Sequence, residues 1–296
     1  MDGSERGSPP VAVVVLPDDR RLAYTELGDP DGYPVLSCHG GLTSRLDVVP
    51  AHAAARRAGL RIVSPDRPGV GRSTRLPGRT VGGWVTDAVA LVDHLGLDRF
   101  SVLGWSMGGP YALSCAALVG ARVGAAAVVA GGVPLDWPCA GGTFADRLDA
   151  RLLGLARERP GTAELVVAAS RGLAEDPAAW LEAARRTMPA VDVAAVERSG
   201  VGRYTAAVAE GLADPAGVVD EFLAFAAPWG FRHEEVGRPV RLWQGTEDTV
   251  VPPSWSEAAA ARLPRAELRV VAGAGHLMAL DRWDEILDDL RAAGGG

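Results

Sequence analysis

No lysine and no asparagine occur anywhere in this 296-residue sequence. All 30 basic residues are therefore arginine, which rules out a lysine nucleophile or a Schiff base. Cysteine is scarce: Cys38, Cys115 and Cys139 stand at wide, irregular spacing that fits neither a metal site nor a disulfide framework, and all three read as structural. Long apolar runs are missing. Stretches such as 11–16 and 125–130 fall far short of the roughly 18–20 residues that span a bilayer, and the acidic, Gly/Ser/Pro-rich N-terminus has no basic leader before an apolar core. A basic excess is missing too, since 37 acidic side chains against 30 basic ones leave a net charge of −7. Neither nucleic acid nor an anionic membrane is then an expected partner. The expectation is a cytoplasmic protein acting on a small molecule, with self-association left open.

What the sequence does contain is a change of hydrophobic period. Residues 1–10 have the composition of a mobile tail. Two apolar stretches, 11–16 and 21–27, read as a hairpin, followed by strands at 34–39, 61–65, 100–103 and 123–130 that alternate with helical patterns at 44–58, 81–95 and 107–118. Several of these strands lack polar alternation, which predicts a parallel sheet covered on both faces. From about 135 to 235 only helical patterns occur: 144–157, 163–173, 178–187, 191–212 with a break near Gly200 and Gly202, and 218–226. Alternation resumes with strands at 240–243 and 267–271 and helices at 254–263 and 278–292. The predicted class is α/β: a mostly parallel central sheet of about eight strands flanked by helices. Its core is 11–134 and 236–293, and a helical cap, 135–235, is inserted in it.

The chemistry gathers at the ends of strands, where open α/β sheets collect ligands. Gly104-Trp105-Ser106-Met107-Gly108 lies between a buried strand and a helix, the setting of a nucleophile elbow, with glycines where strand and helix crowd. Ser106 is the candidate nucleophile. A serine hydroxyl needs a base near the working pH, the task of His276 in Gly273-Ala274-Gly275-His276, and the base needs an acid to hold its tautomer. Asp248 has that role, with Glu247 and Asp136 as rivals. The backbone N–H groups of Gly41 and Met107 are the expected oxyanion donors. His39 is expected to bond the oxyanion loop, Asp66 and Arg67 to pair within a turn, and His52, His94 and His233 to be core or surface residues. Leu42, Trp105, Trp137, Trp229, Phe231 and Leu277 are the candidate apolar walls of the substrate site.

Taken together, Cys38-His39-Gly40-Gly41, Asp66-Arg67-Pro68-Gly69-Val70-Gly71-Arg72-Ser73, the Ser106 elbow, Gly245-Thr246-Glu247-Asp248 with Val251-Pro252, and the His276 loop resemble the successive signature blocks of the α/β-hydrolase superfamily. The resemblance is to its capped esterase and proline-iminopeptidase-like branch. It implies a fold with a cap over the serine and an acyl-enzyme route that uses neither metal nor organic cofactor. The chain differs at Leu42-Thr43-Ser44, where aminopeptidase members typically have Pro-Gly, which speaks against peptidase activity. The function expected is hydrolysis of a carboxylic ester, thioester or lactone of a small hydrophobic substrate. The alternatives are non-hydrolytic chemistry on the same scaffold, such as acyl transfer, cyclisation or lyase action, and simple ligand binding.

Overall fold

The computed structural model describes residues 9–140 and 148–294. The tail predicted at 1–10 lies outside the described residues up to residue 8. Eight strands form one sheet: β1 Ala12–Val15, β2 Arg21–Gly28, β3 Tyr33–Cys38, β4 Leu60–Pro65, β5 Phe100–Trp105, β6 Val123–Val129, β7 Val240–Gly245 and β8 Ala266–Val271. Their order is β1-β2-β4-β3-β5-β6-β7-β8. The pairings of β1 with β2 and of β2 with β4 are antiparallel, and the rest are parallel. Every residue of β5 and β6 is buried, as the unbroken apolar pattern requires, whereas β8 closes an edge and leaves Val270 half exposed.

Helices cover both faces. One side holds α2 Trp84–His94, α3 Gly108–Leu118 and α10 Pro253–Ala260, whose Leu91, Tyr111 and Trp255 belong to one core cluster. The other holds α1 His52–Arg57 and α11 Ala279–Gly294, whose Ala55 and Leu287 belong to a second. The helix expected over 44–58 is shortened to α1. Its first half is recruited into polar contacts instead: the Arg45 N–H donates to Asp66 Oδ1, the Leu46 N–H to Ser44 Oγ, and Asp47 accepts the N–H of Gly40. Pro50 then sits in a short 3-10 turn before α1.

Between β6 and β7 lie α4 Leu148–Glu158, α5 Pro160–Ala174, α6 Pro177–Thr187, α7 Ala190–Ser199, α8 Val201–Gly211 and α9 Pro215–Ala226. The first residues of the helix predicted from 144 lie outside the described residues. Two of these helices start on an Asp-Pro signal: Asp176 accepts the N–H groups of Ala178 and Ala179 ahead of Pro177, and Asp214 accepts that of Ala216 ahead of Pro215. Gly200, at φ 104°, separates α7 from α8 at the predicted break. The inserted helices share a small apolar core around Leu152, Val167 and Phe222. No described helix is long and apolar enough to cross a membrane.

The insertion meets the sheet's loops backbone to backbone at several places, among them Gly211 of α8 against Thr43, and most tightly where a Cβ added to Gly217 of α9 would stand 1.8 Å from the Gly69 carbonyl oxygen. Gly217→Ala should therefore lower unfolding stability by about 1–3 kcal/mol through overpacking. Gly172→Ala in α5, where an added methyl meets nothing within 4 Å, should leave it equal or up to about 1 kcal/mol higher. Urea unfolding of the two variants checks both, and equal midpoints would contradict the contact.

Candidate active site

Ser106 stands where β5 turns into α3, with its backbone in the left-handed region at φ 53°. A non-glycine residue tolerates that conformation only when its surroundings hold it there. Here the Ser106 N–H donates to the Val129 carbonyl on β6 at 2.8 Å, and its carbonyl accepts the Gly109 N–H at 2.9 Å. The flanking glycines have steric causes. A Cβ on Gly104 would lie 2.5 Å from the Gly108 oxygen, and one on Gly108 would lie 2.0 Å from the Cys38 oxygen.

The loops after β7 and β8 bring two further side chains to this point. His276 Nε2 is 2.9 Å from Ser106 Oγ, and its Nδ1 is 3.0 Å from Asp248 Oδ2. Asp248 is buried, and its other oxygen accepts the N–H groups of Val250 and Val251, both at 2.8 Å. Burial pushes the Asp248 carboxyl up, but the neighbouring His276 and those two amides outweigh it and hold the group below the usual carboxylate range. Glu247 and Asp136, the rival acids, are exposed. Gln244, the only glutamine of the chain, donates to Asp248 Oδ2 at 3.2 Å and to the Val251 carbonyl at 2.9 Å. Its own oxygen accepts the Ser256 hydroxyl, so the acid's loop is tied to α10. Trp105 donates its indole N–H to the His276 carbonyl at 3.2 Å and packs edge-on against Trp283, so it braces the histidine loop instead of walling the cavity.

The loop after β3 forms the other side. Gly41 lies against Met107, and Leu42 follows with φ 59°. His39 is fully buried; its Nε2 accepts the Arg67 N–H, so Nδ1 carries the proton and donates to the Gly40 carbonyl at 2.8 Å. Arg67 does not pair with Asp66 as a turn would have it. Its guanidinium donates to the carbonyls of His39 and Gly40 and to Glu221 of α9 at 2.6 Å, with both charged side chains no more than 1% exposed. Asp66 binds Arg45, which also reaches Glu210 of α8. Each acid or base here has its strongest partner on a distant element, which turn-level reading cannot supply.

A cavity of about 720 Å³ opens over Ser106 and His276. Gly41, Leu42, Met107 and Leu277 line it from the core, and Trp180, Val208 and Phe222 from the insertion. Trp137, Trp229 and Phe231 are placed elsewhere. They cluster with His233, with Trp137 and His233 ring centroids 4.5 Å apart and Arg262 over Trp137 at 4.1 Å. The 3-10 turn Pro138–Ala140 packs this end of the insertion on α10, where Trp255 donates to the Cys139 carbonyl, and so draws the cluster away from the cavity. Gln244, Glu221 and Asp192 are site residues that sequence reading missed. The available signal was a polar or acidic residue inside an otherwise apolar strand or helix face.

Burial and the nearby arginines set His39 at about 3, and burial sets His233 at about 4. An unfolded histidine titrates near about 6.5, so at mildly acid pH the unfolded chain binds protons that the fold excludes. The stability each neutral ring contributes is complete above about pH 7 and falls as pH drops, on the order of 1 kcal/mol per pH unit. His233→Phe should remove one proton's worth of that slope between about pH 5 and 6. Denaturant midpoints measured against pH check this, and an unchanged slope would contradict it.

A family model for the alpha/beta hydrolase fold matches residues 33–282. The chain is 38% identical over 101 residues to the 3-hydroxybutyrate-oligomer hydrolase of Cupriavidus necator, covering 33% of this chain and 34% of that protein. It is 40% identical over 106 residues to a proline iminopeptidase of Xanthomonas citri, covering 34% and 33%. Each match thus spans about a third of the curated relative's length. Among solved structures, a thermophilic esterase from Thermogutta terrifontis superposes with a TM-score of 0.68 at 22% identity, covering 96% of this chain and 97% of that one. That likeness is one of fold. With the eight-stranded sheet, the elbow and the matched span together, the chain belongs to the alpha/beta hydrolase fold family.

Proposed function

We propose that this protein is a serine hydrolase that cleaves a carboxylic ester, thioester or lactone of a small hydrophobic substrate. The observation that carries the reading is the unbroken run from Ser106 Oγ through His276 to Asp248, at 2.9 and 3.0 Å, opening on a cavity. Ser106 Oγ attacks the carbonyl carbon while His276 Nε2 takes its proton, and Asp248 holds the Nδ1–H tautomer and steadies the imidazolium. The N–H groups of Gly41 and Met107 receive the oxyanion, fixed donors that need no reorganisation as charge develops. Collapse of the tetrahedral species expels the alcohol, which takes its proton from His276. Water, deprotonated by the same ring, then attacks the acyl-enzyme, releases the acid and returns the proton to Ser106.

The insertion, as a cap of residues 135–235, closes the site with apolar side chains, and a cavity of about 720 Å³ suits a small-molecule ligand. The relatives, an oligomer hydrolase and an esterase, support the same chemistry. No step calls on a metal or an organic cofactor.

Ser106→Ala should lower kcat on a short-chain p-nitrophenyl ester by several powers of ten with the fold intact, and Asp248→Asn by about ten-thousand-fold. Wild type should be labelled at Ser106 by a fluorophosphonate. Near wild-type turnover in Ser106→Ala would end the proposal. Heavy-oxygen water separates hydrolysis from acyl transfer, since only hydrolysis places the label in the acid product.

A further inference from the structure

Most of the cavity wall is apolar, yet the insertion sets an acid into it. Asp192 of α7 is 1% exposed. Its Oδ1 accepts the N–H of Leu277 at 2.7 Å and the backbone of His276 also favours the carboxylate, while Oδ2 is buried with no hydrogen-bond partner among the described residues. An acceptor needed only to hold Leu277 would be one oxygen; a second, buried and unpaired, costs desolvation that something must offset. No arginine is among the residues that line the cavity.

Tyr204 of α8 lines the same cavity, and its hydroxyl has no hydrogen-bond partner among the described residues. Burial first, then the charges of Asp192 and Asp47, push its phenol above the ordinary value, so the O–H stays on as a donor in the cavity that Asp192 also lines. Apart from Ser106, three of the four other hydroxyls of the wall are already used, and the fourth, Thr249, is exposed on the loop after β7. Ser170 donates to the Val166 carbonyl, Thr187 to that of Ala183, and Thr43 to Gly40 and Asp47.

An unspent acceptor and an unspent donor lining one cavity match a group that gives one hydrogen bond and takes one. An alcohol does both. An ammonium has no lone pair for Tyr204, an ether or carbonyl has no proton for Asp192, and a carboxylate would meet Asp192 as a like charge. We propose that Asp192 and Tyr204 form a specificity subsite for a hydroxyl, so that the preferred substrate is a hydroxylated ester, thioester or lactone. This rests on the hydrolase reading of Ser106.

The test uses p-nitrophenyl esters of identical skeleton with and without a hydroxyl along the acyl chain, and alkyl esters whose alcohols are matched in the same way. The readout is the ratio of kcat/KM for the two members of a pair on one enzyme preparation, so a general loss from a displaced histidine loop divides out. Wild type should favour the hydroxylated member at least about tenfold for one placement of the hydroxyl. Asp192→Asn keeps an acceptor for Leu277 and turns the second oxygen into a donor. That change and Tyr204→Phe should each cut the ratio at least about fivefold, mainly through KM. A wild-type ratio near one for every pair, or a ratio kept in both variants, overturns the subsite while leaving the hydrolase reading standing. Turnover of neither member of any pair removes both.

Discussion

A serine held with left-handed backbone angles at the crossing of β5 and α3 is the constraint on which the rest of the molecule depends. That conformation is unfavourable in isolation and persists because neighbouring strands grip it on both sides: β6 accepts its amide, and β3 presses on Gly108 so closely that no side chain fits there. The sheet order follows from the same need. With β3 and β6 on either side of β5, their loops end beside the serine, one bringing Gly41 and the other leading into the insertion. The loops after β7 and β8, farther along the same edge, then carry Asp248 and His276 into reach.

The second organising feature is the way the insertion is bound to the sheet. Arg67 joins Glu221 of α9 to two carbonyls of the loop after β3, Arg45 joins Asp66 to Glu210 of α8, and Arg75 pairs with Asp220. A buried ion pair adds little net stability over a well-packed apolar pair, but removing one partner strands the other charge at a cost of about 3–5 kcal/mol. Its main effect is therefore geometric. A guanidinium can reach a carboxylate and two carbonyls at once in a fixed plane, which an ammonium cannot do, so a chain whose basic residues are all arginine is well suited to this seam.

Much of this was readable along the chain. Strand-helix alternation gave the eight strands, and the glycines around Ser106 pointed to a sharp turn because close backbone approach leaves a local trace. The break at Gly200 was readable for the same reason, since left-handed residues act within a few positions. What failed was non-local. Trp137, Trp229 and Phe231 flank the insertion in sequence, but packing on α10 gathers them around His233, away from the cavity. The partners of Asp66 and Arg67 lie on other elements, and the helix expected from 44 gave way to side-chain contacts that propensity does not see.

Asp192 bears on how freely the two layers could be exchanged. It sits on the insertion but bonds the amide that follows His276, and Gly275 must lack a side chain to admit it. Excising the helical layer, or grafting one from a relative, would uncover that amide along with Arg67 and Arg45. The two layers are thus one inheritance, and recombination at residues 135 and 235 would yield an impaired chimera unless the histidine loop travelled with the helices that bond it.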